Sequence, residues 1–118
     1  MLPTWNAFPD YLAAEFPHLR QQIEDEALES PLYPHYFLQV YLLPELLGAT
    51  RSRNVPAVSH ASDVLEAVLG AADSDLAEAA LHSVLRPIAE SSECELLLPY
   101  LGGRASLLVR RLLVLPGG

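Results

Sequence analysis

The sequence predicts an all-α fold of about six to seven short helices, built from antiparallel helical hairpins in one domain spanning residues 1–118. Three observations predict it. Apolar residues recur at helical spacing: Ala77, Leu81, Val84, Leu85 and Ile88 fall on one face, with Asp75, Glu78, His82 and Arg86 opposite. No segment shows the apolar–polar alternation of a strand. The chain has 118 residues of which 51% are hydrophobic, enough for a buried core and too apolar for disorder.

The elements follow in order. Asn6 is placed to cap a first helix reaching residue 16, with Pro9 in its first turn and Trp5, Phe8, Leu12 and Phe16 in an apolar line. Pro17 breaks it and opens a second helix over residues 17–28, with Leu19, Ile23 and Ala27 inward. Glu24, Asp25, Glu26 and Glu29 crowd the far end of that helix, where carboxylates oppose the helix dipole. They read either as a solvated face or as charges kept for binding. A third helix over residues 34–47 is apolar nearly all round and is expected to be the most buried; Pro44 removes a hydrogen bond to the Val40 carbonyl and should kink it. The polar run GATRSRN, residues 48–54, reads as an exposed, mobile loop.

The next stretch, residues 55–90, is the centre of the design. Pro56 suits a first helical turn, and Ala57, Ala61, Val64, Leu65, Val68 and Ala72 form the apolar face, against polar Ser62, Asp63 and Glu66. Gly70 and the Asp73-Ser74-Asp75 cluster mark a break, with Asp73 or Ser74 as the cap of the second arm. So short a link makes the arms antiparallel neighbours. Pro87 should kink the second arm, and Ser91-Ser92 ends it. A short helix follows over residues 93–101, Gly102-Gly103 stops it, and a last helix over residues 104–115 places Leu108, Leu112 and Leu115 inward before Pro116-Gly117-Gly118. The two hairpin arms echo each other at an offset of 20, Val64-Leu65 with Val84-Leu85, but no repeat of fixed period is evident.

The net charge of −8 comes from 15 acids and seven bases, all of them arginine, a usage that reads as coding bias. Residues 1–50 hold seven acids and one arginine, a net of −6; residues 51–118 hold eight and six, a net of −2. This balance disfavours a nucleic-acid backbone and attracts a basic partner, although solubility alone also explains it. Cys94 is the only cysteine, so no intramolecular disulfide and no cysteine-based zinc site arises; Glu93 and Glu95 beside it should raise its thiol pKa. The N-terminus is no secretory signal, and LLVRRLLVL is too short and too charged to span a membrane. A cytoplasmic setting is expected.

No residue set assembles a reaction. His60 with Asp63, and Glu78 with His82, lie one turn apart, but a metal site needs three or four convergent ligands, and no HExxH run or cysteine pair exists. His35 at a helix start reads as capping or packing. Gly102-Gly103-Arg104 before a helix is the nearest approach to an anion site; a helix-stop glycine pair explains it as well. No nucleophile elbow is present. The expectation is a protein without catalytic activity, metal or cofactor.

The run LYPHYFLQVYLLPELL, a polar loop, a hairpin ending in SVLRPIAES, and then LLPYLGGRASLLVRRL resemble small acidic all-helical bacterial proteins, across Pro31 to Leu113. Those proteins look like short HEAT-type stacks of helix pairs, and Pro44, Pro87 and Pro99 suit such helices. Several are taken to be immunity proteins encoded beside toxins. The resemblance implies a non-enzymatic protein that occludes the active site of a cognate toxin. The matching positions are packing residues, so no binding residue carries over. The charge pattern nominates Glu24, Asp25, Glu26 and Glu29 as contacts to a basic protein, with Trp5, Tyr33 and Tyr36 as aromatic anchors. The alternative is a self-associating scaffold or adaptor, a homodimer joined through LLVRRLLVL.

Overall fold

A computed structural model describes residues 3–29 and 34–114; of Glu29 it describes the backbone only. Among the described residues there are seven helices and no strand. They are α1 (Phe8–Glu15), α2 (17–29), α3 (34–51), α4 (Val55–Leu69), α5 (74–90), α6 (94–100) and α7 (Gly103–Val114).

Local chemistry sets the boundaries. At the start of α1 the N-cap position falls to Ala7 rather than Asn6 and no side chain caps it; in the preceding turn the Thr4 hydroxyl accepts the Ala7 amide at 3.3 Å. The residue before a proline avoids the helical region, so Phe16 leaves it and α1 ends before Pro17. Asn54 caps α4 by accepting the Ala57 amide at 3.2 Å, with Pro56 in the first turn. Asp73 caps α5 by accepting the Leu76 amide at 3.3 Å.

Pro44 and Pro87 each sit just past a widened turn. Leu38–Leu42 in α3 and Leu81–Leu85 in α5 wind as π-helix, so the amides of Leu43 and Arg86 reach five residues back, to the carbonyls of Leu38 and Leu81. In a regular helix the rings of Pro44 and Pro87 would collide with the carbonyls of Val40 and Ser83. The extra residue in the turn makes room for the ring. The two devices lie 43 residues apart (81 − 38, and 87 − 44), within the period of about 40–47 residues of HEAT-type helix pairs. This single spacing relates α3 to α5.

The helices pack in pairs, α1 on α2 and α3 on α4, with α5 against α3, α4 and α7. Phe8 and Leu12 of α1, Ile23 of α2, Phe37, Leu42 and Leu46 of α3, Leu65 of α4, Leu85 and Ile88 of α5, Leu97 of α6 and Val109 of α7 share one buried core. The radius of gyration is 13.6 Å, against about 13.5 Å for a single compact domain of this length. None of the helices described is long and apolar enough to cross a membrane.

Four further expectations change. α3 is not buried all round: Tyr36 and Val40, one turn apart, are 42% and 41% exposed. The expected loop over residues 48–54 is helical through Arg51, and within it the buried Thr50 satisfies its hydroxyl on the Leu46 carbonyl at 2.7 Å. Ser62 faces the core rather than solvent, and its hydroxyl has no hydrogen-bond partner among the described residues. In α7 the buried residues are Ala105 and Val109, while Leu108 and Leu112 are half-buried and Leu107, Leu113 and Val114 are exposed; Leu115 lies outside the described residues.

Candidate protein-docking face

The acidic end of α2 lies against the first turns of α3. Helical spacing puts Gln22, Asp25 and Glu26 on one edge of α2, and Tyr41 closes a shallow polar hollow of about 370 Å³ with them. The Tyr36 hydroxyl donates to Glu26 Oε1 at 3.1 Å, and Gln21 holds Asp25 Oδ1 at 2.9 Å. The Tyr41 hydroxyl donates to the Gln22 carbonyl at 3.4 Å and joins the two helices. Both phenols respond to the acids. The bond to Glu26 raises the Tyr36 pKa above its ordinary value, while burial first, and then Glu26, raises that of Tyr41. Both tyrosines thus stay neutral hydrogen-bond donors beside fixed negative charge.

Of the residues nominated from sequence, Asp25, Glu26 and Tyr36 come together here. Glu24 is exposed on α2 but does not line the hollow. Tyr33 and the side chain of Glu29 lie outside the described residues. Trp5 stands elsewhere. Its amide donates to Asp73 Oδ2 at 2.8 Å and its ring meets His35 edge-on at 6.0 Å. It lines a separate notch of about 170 Å³ with Asp75, Glu78 and His82.

The histidines serve packing and joints. His35 Nδ1 lies 3.1 Å from Ser83 Oγ and links α3 to α5. His60 does not turn to Asp63; its Nε2 lies 2.7 Å from the Glu15 carbonyl, and its ring meets Phe16 at 5.2 Å, fastening α4 to α1. His82 and Glu78 remain neighbours at 3.8 Å on α5. Among the described residues no three His, Cys, Asp or Glu side chains converge as a metal site. Burial first, then Glu95, raises the Cys94 thiol pKa.

The anion position at Gly102-Gly103-Arg104 is filled from within. The Glu66 carboxylate of α4 accepts the Arg104 amide at 2.8 Å and the Ala105 amide at 3.2 Å, at the positive end of α7. A Cβ on Gly102 would lie 2.6 Å from that carboxylate, so only glycine permits the approach. A second unforeseen acid is Glu93. Arg51 donates to it at 2.6 Å, and the Ser91 and Ser92 hydroxyls donate to its other oxygen. The Arg51 bond, followed by that from Ser91, brings its pKa down to about 2. The Ser91-Ser92-Glu93 run was the only local signal for this site; Arg51 is distant in sequence. No family model, no curated protein and no solved structure matches this chain.

Proposed function

We propose that this is a non-enzymatic protein-binding domain of the immunity type, which occludes the active site of a cognate, basic bacterial toxin in the cytoplasm. The observation that carries the reading is the hollow between α2 and α3, where Asp25 and Glu26 sit beside Tyr36 and Tyr41. Carboxylates there attract lysine and arginine, and a half-exposed tyrosine supplies contact area at small entropic cost. The test is capture of the partner by tagged protein across a salt series. A single basic protein should be retained at low salt and released as salt rises. Reversing the charges with Asp25→Lys and Glu26→Lys should weaken it about tenfold or more. Unchanged affinity would remove this face from the reading.

One observation favours the scaffold reading. Leu107, Leu113 and Val114 of α7 are exposed, at 52%, 50% and 78%. A homodimer through them would dissociate with Leu113→Glu, as read by sedimentation of a still-helical protein.

A further inference from the structure

An apolar cleft of about 360 Å³ opens where the end of α3, the start of α4 and α6 meet, away from the acidic hollow. Val55, Val58, Leu96 and Tyr100 line it, together with Thr50 and Arg53. Three of these, Val55, Leu96 and Tyr100, are 48%, 61% and 40% exposed, a concentration of apolar surface that water does not favour. The volume lies at the small end of the range of about 300–1,000 Å³ for small-molecule sites.

Arg53 is the unusual member. α3 ends in a Schellman turn: the Asn54 amide bonds to the Ala49 carbonyl at 2.9 Å and the Arg53 amide to the Thr50 carbonyl at 3.2 Å. Arg53 occupies the left-handed position of that turn, with φ 58°, and is the only non-glycine residue with positive φ among the described residues. Glycine is the usual occupant because a Cβ is strained there. A cation at this helix end also suits the negative end of the dipole, as Arg51 in the last turn does. Arg51 is spent on Glu93, whereas Arg53 makes no ion pair among the described residues. A strained backbone thus holds an unpaired guanidinium at an apolar cleft.

We infer that this cleft binds a small carboxylate with an apolar alkyl or aryl body, the body against Val55, Val58, Leu96 and Tyr100 and the carboxylate on Arg53. The polar inventory selects that class over a peptide. Besides the guanidinium the cleft offers the Tyr100 hydroxyl and the Thr50 hydroxyl, whose proton is spent on the Leu46 carbonyl. No strand edge lines it among the described residues, so an extended peptide entering it would find no row of backbone partners. A carboxylate needs only the planar donor pair of an arginine.

The test titrates the full chain with decanoate, decanol and decylammonium, following NMR signals of Val55, Leu96 and Tyr100. Decanoate should saturate at one site, decanol should bind about tenfold more weakly, and decylammonium more weakly still. Arg53→Gly should raise Tm by about 2–5 °C through relief of strain, yet reduce decanoate binding about tenfold, to the level of decanol. Equal decanoate affinity in wild type and Arg53→Gly overturns the proposal, as does decanol binding as tightly as decanoate. A titration in which decanoate leaves the three signals unmoved overturns it too. Signals that shift with protein concentration, and cease to do so in Leu96→Glu, would make the cleft an interface between copies and overturn the ligand assignment.

Discussion

α3 and α5 are built alike and used differently. Each has a π-turn followed by a proline, and Leu42 and Leu85 at matched positions are fully buried. The residues between diverge. Ser83 is 8% exposed and meets His35 of α3, whereas its match, Val40, is 41% exposed. The proline and the buried leucine set the backbone of the turn, and the neighbour sets the residue between. Where a helix stacks on that side, a small hydrogen-bonding side chain fits. Where none does, a branched apolar residue stays in water. The acidic hollow lies beside that exposed turn, where Tyr41, itself 7% exposed, meets Gln22, Asp25 and Glu26 of α2.

The comparison breaks first at its buried leucines. Leu42→Ala and Leu85→Ala should each cost about 2–5 kcal/mol in denaturant melts, because both leave a cavity in the common core. A loss below about 1 kcal/mol at either position would show that the two turns are not equivalent. A smaller contrast sharpens it. Ser83→Ala takes away the partner of His35 Nδ1 and should cost about 1 kcal/mol, while Val40→Ala should stay within about 0.5 kcal/mol. The reverse order would discard the account of the divergent position. The weakest effect concerns the C-terminal ends of the twins, which Arg51 of α3 ties together by reaching Glu93 just past α5. The folded carboxyl titrates at about 2 rather than the ordinary 4.5, so its contribution is complete above pH 4.5 and disappears as pH falls through 2. Glu93→Gln should lower Tm near neutral pH and match wild type near pH 2. A difference that does not vary with pH would detach the pair from folding.

Much of the fold was legible because it is written locally. Asp73 and Pro56 act within one helical turn of themselves, and the apolar spacing of α4 and α5 needs no partner to be read. The misreadings were relational. Thr50 sits in a polar run, yet burial lets its hydroxyl settle on its own helix. Glu66 lies 38 residues before the amide that it caps, and no periodicity joins them. The π-turns moved the inward face of α5, so Ser83 is buried while Leu81 is only half so. At the candidate face, the nomination of Asp25 and Glu26 followed from charge and helical spacing. Their pairing with Tyr36 and Tyr41 depended on where α3 lands, and Trp5 went to another notch because Asp73 holds its amide.

The Glu66 carboxylate on the first amides of α7 also has a kinetic consequence. That helix is fastened at one end by Glu66 and along its flank by Ala105 and Val109, then runs out to exposed Leu113 and Val114. Amide hydrogen exchange along it should form a gradient, slowest beside Val109 and fastest beyond Leu112. Loosening the Glu66 end with Gly102→Ala would let the helix open from both ends, and the slow amides in its middle would lose most of their protection.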